Sequence, residues 1–482
     1  MQALARLCVN RPVFAGVIIL MFVVVGLFAI PQLGQDRFPT IDFPAVTVVT
    51  TLPGATPEEM DTEVTEEIEK KIGSTAGIDA IQSTSAEGIS VVQISFTLET
   101  NGDVGAADVR GKIDQAVPNL PEEAERPVVN KFGGDASPVL QFVLSGEGAS
   151  IRDLTEYADK TMRPQIESLN SVGEVAIIGG RLRQINILTD PYKLRALGLS
   201  VLDLQNAVRS QNAQVPGGSI DQGDRKISVR TESRAKTLNG LRDIIVKQNG
   251  SRAIRLGDVA TIEDGEEEPT SLASLNGKAA VLLSIRKQSG ANSVAVIDTV
   301  NAKLKEIKPT LPPGYSTKVT NDQSVFARAA IATVEEHLLL GSALAAGVVL
   351  IFLWNWRTTL ISALAIPTSL IATFALMWFQ GFTLNIISLL ALTLAVGIVI
   401  DDAIIVIENI YKFIEEKNMS PKEAAIAGTT EIGFAVLATT LSLIAVFLPV
   451  AFMTGIVGRF LSSFGLTMAF AIGVSLIVAF TL

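Results

Sequence analysis

The sequence predicts an α-helical membrane domain of six crossings joined to a water-exposed α+β domain. Three observations carry that expectation. Six mostly apolar runs of at least ~17 residues are present, one near the N-terminus and five beyond residue 335, each long enough to cross a bilayer. The stretch between them repeats one order of signals: strand, helix, strand, strand, helix, strand. The 482 residues are 48% hydrophobic and 18% charged, with mean hydropathy +0.40, too apolar for an average soluble protein.

Composition also excludes function classes. A net charge of −10 argues against a nucleic-acid surface. Cys8 is the single cysteine, so no intrachain disulfide can form. His337 is the lone histidine, and one His without a Cys cluster is not a metal site; at the start of an apolar run it is expected at a helix end. There is no Walker-type glycine loop for ATP, and no Ser/His/Asp set. The chain is therefore not expected to be an enzyme or to need a cofactor.

The first membrane element is expected over 12–30. Arg6, Arg11 and Pro12 precede an apolar run from Val13 to Ile30. A cleaved signal peptide is the competing reading. Its apolar core would span ~7–15 residues and end at a small-x-small site. This run is longer, and Ala29-Ile30-Pro31-Gln32 is a poor cleavage site. The flanking arginines put the start of the helix in the cytoplasm.

The water-exposed region divides into 32–135, then 136–178 with 268–335, with 179–267 inserted in the second unit. In the first unit Ala45–Leu52 alternates as a strand. Thr56-Pro57-Glu58-Glu59 opens a helix, with Pro at its first position and acids in its first turn. Ile78–Ala86 and Ile89–Leu98 read as a hairpin around Glu87-Gly88, and Asp103–Ala116 as a second helix. The second unit starts with a strand at Pro138–Leu144, a helix opened by Ser150 and a strand at Gly173–Ile178. It resumes with a strand at Ala279–Arg286, a helix over Ala291–Ile307 and a strand at Ser316–Thr320. Each unit is a ferredoxin-like βαββαβ pattern. The inserted stretch reads as strand- and turn-rich, with Pro216-Gly217-Gly218 and Asp221-Gln222-Gly223-Asp224 at a hairpin tip.

Five further membrane helices are expected within 336–482, at about 336–356, 359–379, 384–413, 432–454 and 462–482. Arg357, Lys412, Lys417 and Lys422 fall in links that a cytoplasmic N-terminus also places inside, as the positive-inside bias requires. The α+β region then faces outward, which in a Gram-negative cell means the periplasm. Ser475 to Leu482 carries no polar flank or interfacial anchor, so the chain is expected to be a fragment or half of a longer one.

The chemistry is expected at Asp401 and Asp402, two adjacent acids inside an apolar run from about Ile386 to Ile407. Inserting each costs ~2.5–3.5 kcal/mol, which packing alone does not justify. Helix neighbours point ~100° apart, so one partner can face only one of them squarely. As adjacent acids the two are expected to act as one unit, which suits a proton relay. Gly397, one turn earlier, is small enough to admit a close helix neighbour. Glu408 is a candidate for the proton path or simply marks the interface. No cation of the chain lies at the depth of the pair: Arg328, Arg357, Lys412 and Arg459 fall at helix ends or links. Asn385 is expected to cap the helix, and Ser289-Gly290-Ala291-Asn292-Ser293 to form a strand-to-helix cap rather than an anion site.

Gly397-Ile398-Val399-Ile400-Asp401-Asp402 followed by Glu408-Asn409 resembles the Gly-x-x-x-Asp-Asp motif of the resistance–nodulation–division (RND) transporters, hydrophobe/amphiphile efflux branch. Asn10-Arg11-Pro12, Gln35-Asp36-Arg37-Phe38-Pro39, Pro53-Gly54-Ala55 and Gln211-Asn212-Ala213-Gln214-Val215 resemble the same family in the same order. The resemblance implies a homotrimeric, proton-driven inner-membrane exporter of small molecules. It implies periplasmic porter subdomains that bind substrate, with 179–267 as the docking subdomain. It also implies a periplasmic adaptor protein and an outer-membrane channel as partners, and a C-terminal half that carries a lysine for the aspartates. Pro138 and Ile178 stand at two candidate substrate-pocket positions that multidrug members fill with phenylalanine. The hairpin between Val215 and Arg230 is shorter than in those members. Competing readings are a membrane-anchored, non-transporting fragment, one subunit of a split transporter, or an RND branch that moves lipids.

Overall fold

The computed structural model describes residues 2–39, 44–132, 137–214, 216–222, 225–230, 234–249 and 252–482. A short helix α1 (Gln2–Asn10) leads into α2 (Pro12–Ala29), the chain bending where Pro12 starts the second helix. The first α+β unit follows. β1 (Ala45–Thr51) leads to α3 (Pro57–Met60), which passes through a π-turn at Asp61–Thr65 into α4 (Glu66–Ile72). Thr56 Oγ1 accepts from the Glu59 N–H at 3.3 Å while the Glu59 carboxylate accepts from the Thr56 N–H at 2.8 Å. That reciprocal box fixes the helix start. β2 (Ile78–Ala86) and β3 (Ile89–Phe96) form a hairpin whose Gly88 holds φ 71°. α5 (Gly102–Ala116) and β4 (Val128–Phe132) complete the unit, and the antiparallel sheet runs β2-β3-β1-β4.

The second unit begins with β5 (Leu140–Gly146), α6 (Ile151–Tyr157), a second π-turn at Ala158–Met162, α7 (Arg163–Glu167) and β6 (Val172–Ile178). The insertion then runs through β7 (Arg183–Thr189), α8 (Pro191–Leu197), α9 (Val201–Gln211), β8 (Pro216–Gln222), β9 (Arg225–Arg230), α10 (Leu238–Arg242), β10 (Ile245–Asn249), β11 (Arg252–Arg255), α11 (Leu256–Val259) and β12 (Ala260–Glu266). It leaves and returns side by side, because β12 pairs with β7. A small ladder of β13 (Ser274–Leu275) and β14 (Lys278–Ala279) precedes β15 (Val281–Lys287), α12 (Ser293–Ile307) and β16 (Tyr315–Asp322). The sheet order β16-β5-β15-β6 repeats the order of the first unit. Phe142, Leu144, Met162, Leu283 and Ile297 are fully buried between this sheet and its helices.

The insertion contains more helix than its turn-rich sequence suggested. Asp190 before Pro191 caps α8, and Ser200 forms a capping box with Asp203 at α9. These signals start short helices inside a polar stretch. β8 and β9 form the expected hairpin, but Pro216-Gly217-Gly218 begin β8 at the end away from the turn, Pro216 pairing with Arg230, so only the Asp221-Gln222 end lies at the tip; 223 and 224 lie outside the described residues, as does 215.

α13 (Gln323–Leu353), α14 (Trp356–Phe379), α15 (Ile386–Lys417), α16 (Pro421–Ala451) and α17 (Gly455–Thr481) form the membrane domain with α2. Among the described residues six helices are long and apolar enough to cross a bilayer. Hydropathy placed three helix starts too late, at 336, 432 and 462. It marks the apolar part of a helix, whereas the backbone coils from the cap onward: Asp322 accepts from Ser324 N–H, and Ser420 caps α16 ahead of Pro421. His337 is therefore not a helix-end residue; it lies exposed inside α13.

α2 packs on α14 through Gly26, where an added Cβ would overlap the Ile371 carbonyl. A Cβ at Gly16 would meet nothing within 4 Å. Gly26→Leu is expected to lower the thermal stability of the detergent-solubilised protein by several degrees, and Gly16→Leu to leave it unchanged, in a fluorescence size-exclusion assay.

The insertion is tied to the second unit by ions. Asp264 on β12 receives Arg183 Nε at 2.8 Å and Arg152 Nη2, from α6, at 3.0 Å. The hydrogen bond from Arg183, then the charge and hydrogen bond of Arg152, hold the Asp264 carboxyl below its ordinary range. A depressed folded-state value stabilises above the unfolded-state value, and the effect is lost as pH falls through the folded one. Asp264→Asn is therefore expected to raise hydrogen exchange in β7 and β12 at neutral pH. That difference from the parent should disappear as the pH drops below the ordinary carboxylate range.

Candidate functional site

α15 carries the acid pair, and its start is fixed before it enters the apolar layer. Asn385 Oδ1 accepts from the Ile387 and Ser388 N–H groups at 3.0 and 3.1 Å, and Ser388 Oγ accepts from the Asn385 N–H at 3.0 Å. No proline interrupts the helix down to its left-handed cap at Asn418, φ 48°. Two stripes at helical spacing run along it. Leu392, Ala395, Val399, Asp402 and Val406 are buried; Leu390, Leu394, Gly397, Asp401, Ile405 and Glu408 are exposed. The adjacent aspartates therefore belong to different faces.

Asp402 is 7% exposed and sits where α15, α16 and α17 meet. The Thr440 hydroxyl of α16 lies 3.3 and 3.4 Å from its two carboxyl oxygens and 2.7 Å from the Val436 carbonyl of its own helix. Ser475 of α17 donates to the Val399 carbonyl at 2.8 Å, one turn before Asp402 on α15. A hydroxyl has one proton and two lone pairs. Thr440 can donate to an ionised Asp402, or donate to Val436 while accepting from a protonated one. The site thus has a hydrogen-bonding arrangement for either protonation state.

Asp401 faces away, and it makes no hydrogen bond or ion pair among the described residues. Among the described residues, no cation pairs with either aspartate. Arg328 pairs with Asp298 of α12 at 2.6 Å, and Arg459 donates to the Leu98 carbonyl of the first unit. Arg357 and Lys412 lie near helix ends. Glu408 shares the exposed stripe two turns from Asp401, and its neighbour Asn409 donates to the Gly428 carbonyl of α16 at 2.9 Å. A Cβ at Gly397 would meet nothing within 4 Å, so among the described residues no helix approaches it closely.

The structure does not bring Pro138 and Ile178 together. Pro138 precedes β5, near the Lys287 end of β15, while Ile178 pairs with Leu282 towards the other end. About five residues of strand, ~17 Å, separate them. Phe142 is fully buried core, and Phe326 is stacked by the Arg37 guanidinium at 5.3 Å. No group of three metal-ligating side chains occurs among the described residues.

Thr440 and Ser475 were missed by sequence reasoning. Each is one of several hydroxyl residues in its helix, and only the helix crossing selects those at the acid. In the full-length protein Thr440→Val is expected to destabilise by about 1–3 kcal/mol, because Asp402 loses its hydroxyl partner. The effect should shrink in an Asp402→Asn background. Thermal unfolding of both single variants and the double variant checks this; additive losses would contradict the contact.

A sequence-family model described as the AcrB/AcrD/AcrF family matches residues 4–482. The chain is 36% identical over 477 residues to multidrug resistance protein MdtC of Escherichia coli O157:H7 (strain EC4115 / EHEC), covering 99% of this chain and 46% of that protein. MdtC of Shigella flexneri is equally similar, at 36% over 477 residues, covering 99% of this chain and 47% of that protein. The chain thus spans about half the length of the curated relatives it matches.

Proposed function

The chain belongs to the AcrB/AcrD/AcrF family of RND transporters, and from that premise we propose that it is the N-terminal half of a proton-driven exporter of hydrophobic or amphiphilic small molecules. The observation that carries the reading is Asp402, buried against the Thr440 hydroxyl at the meeting of three membrane helices, with Asp401 beside it on an exposed stripe. Structural acids at this depth are costly, and a hydroxyl able to serve both protonation states is what a proton carrier needs. One charge crossing the field gains ~2.3 kcal/mol per 100 mV, and Asp401 and Asp402 are the groups through which that energy enters. Gly397, Asp401 and Glu408 share the stripe against which the C-terminal half would pack, bringing a lysine to Asp401.

The protein acts in the inner membrane as a homotrimer, with its α+β region in the periplasm. The two units, with their matching sheet order, are ferredoxin-like porter subdomains, and the insertion between β6 and β15 is the docking subdomain. It meets a periplasmic adaptor protein and an outer-membrane channel. A proton gradient, rather than a bound cofactor, supplies the energy. Protonation of the pair shifts helix contacts, and α2 and α13 pass the shift to the units they flank. The substrate enters from the periplasm or outer leaflet. Its pocket differs from one lined by phenylalanines at Pro138 and Ile178. The name of the MdtC relatives, multidrug resistance proteins, is consistent with small-molecule export.

Asp401→Asn and Asp402→Asn in the full-length protein are each expected to reduce export to the empty-vector level in a pump-deficient host, while membrane insertion and trimer yield stay normal. A susceptibility panel with an immunoblot of the membrane fraction reads both. Normal efflux by either variant would overturn the reading.

A further inference from the structure

Asp36 and Lys287 form a buried ion pair far from the membrane acids. They are 251 positions apart, their side chains are 6% and 5% exposed, and Lys287 Nζ lies 3.0 Å from Asp36 Oδ1. The same oxygen accepts the Ser293 hydroxyl at 2.5 Å and faces the Ser293 N–H at 3.4 Å. Lys287 also donates to the Ala291 carbonyl at 2.7 Å. Lys287 ends β15 and Ser293 begins α12, so the pair grips the second α+β unit at its strand-to-helix turn. The positive end of α12 thus receives an anion from within the chain, the Asp36 carboxylate.

The other side of Asp36 is fastened to the membrane domain. Its backbone N–H donates to the Leu384 carbonyl at 3.1 Å, the Leu384 N–H donates to Gly34 at 2.8 Å, and the Ile386 N–H donates to Arg37 at 3.3 Å. Residues 34–37 are therefore zipped to the first residues of α15, which Asn385 caps. From there α15 runs as one uninterrupted helix to Asp402, 17 residues or about 25 Å along its axis. A helix without a break moves as a rod, and its end cannot shift without taking the zipped segment along.

We propose that Asp36, Lys287 and Ser293 are positioning residues forming a rigid joint that carries movement of α15 directly to α12 of the second unit. The inference rests on the proton-switch reading of Asp402 and adds a route besides α2 and α13. A surface ion pair would yield to solvent. This one is buried and bonded on both sides, so it holds the two domains in register. Removing one charge would leave the other buried and unpaired, so the informative variant is the neutral double substitution Asp36→Asn/Lys287→Met.

The test is hydrogen–deuterium exchange on the full-length trimer, with Asp402→Asn as a mimic of the protonated acid. With the joint intact, Asp402→Asn is expected to change exchange rates in α15–α17 and, by at least twofold, in the first turns of α12. In the Asp36→Asn/Lys287→Met background the α15–α17 response should persist and the α12 response should fall at least twofold, to what the Arg328–Asp298 pair between α13 and α12 carries. Lys287→Arg should keep both. A merely structural pair would raise α12 exchange equally with and without Asp402→Asn. An α12 response that is undiminished in the double variant, or that is absent with the joint intact, overturns the joint. Loss of the α15–α17 response in the parent background overturns the proton-switch reading, and the joint with it.

Discussion

Holding the Asp402 carboxyl among apolar helices constrains everything around it. An acid there needs a hydrogen-bonding partner, and α16 supplies one in the Thr440 hydroxyl, while Ser475 of α17 donates to the Val399 carbonyl one turn earlier on α15. The three helices cannot slide past one another without disturbing those contacts. Changing the charge of the acid changes which arrangement is favoured, because Thr440 can serve as donor to a carboxylate or as acceptor from an acid. On the proposed reading, the same feature that stabilises the crossing is what would make it respond to protons.

The membrane domain is bound to the α+β region at several points of contrasting chemistry. Arg459 at the start of α17 donates to the Leu98 carbonyl of the first unit. Arg328 on α13 pairs with Asp298 on α12. Phe38 packs edge-on against Phe460, with ring centroids 6.5 Å apart, and the Arg37 guanidinium stacks on Phe326. The buried joint at Asp36 lies among these contacts. Both α+β units are therefore held to membrane helices by side chains rather than by the chain connection alone.

Local signals were legible in the sequence and distant ones were not. The caps at Thr56, Ser150 and Asn385 lie within a few residues of the groups they satisfy, and each forms as its spacing predicts. The six apolar helices were visible because twenty-residue hydropathy is a local property. The start of α13 at Gln323 was not, since its first turns are polar enough to read as water-exposed. The acid pair stood out by its cost in an apolar run, but which acid is buried depends on the crossing of α15 with α16 and α17. Thr440 is 38 positions from Asp402 and Lys287 is 251 from Asp36, and no periodicity links residues so far apart. The close approach of α2 to α14 at Gly26 was hidden for the same reason.

If Asp402 exchanges its proton beside the Thr440 hydroxyl, pH-induced infrared difference spectroscopy of the full-length protein should show it. A protonated-carboxyl band is expected that is lost in Asp402→Asn and shifts in frequency in Thr440→Val, since the hydroxyl is its hydrogen-bond partner. A band that persists unchanged in Asp402→Asn, or the absence of any carboxyl band in the parent across the titration, would contradict it.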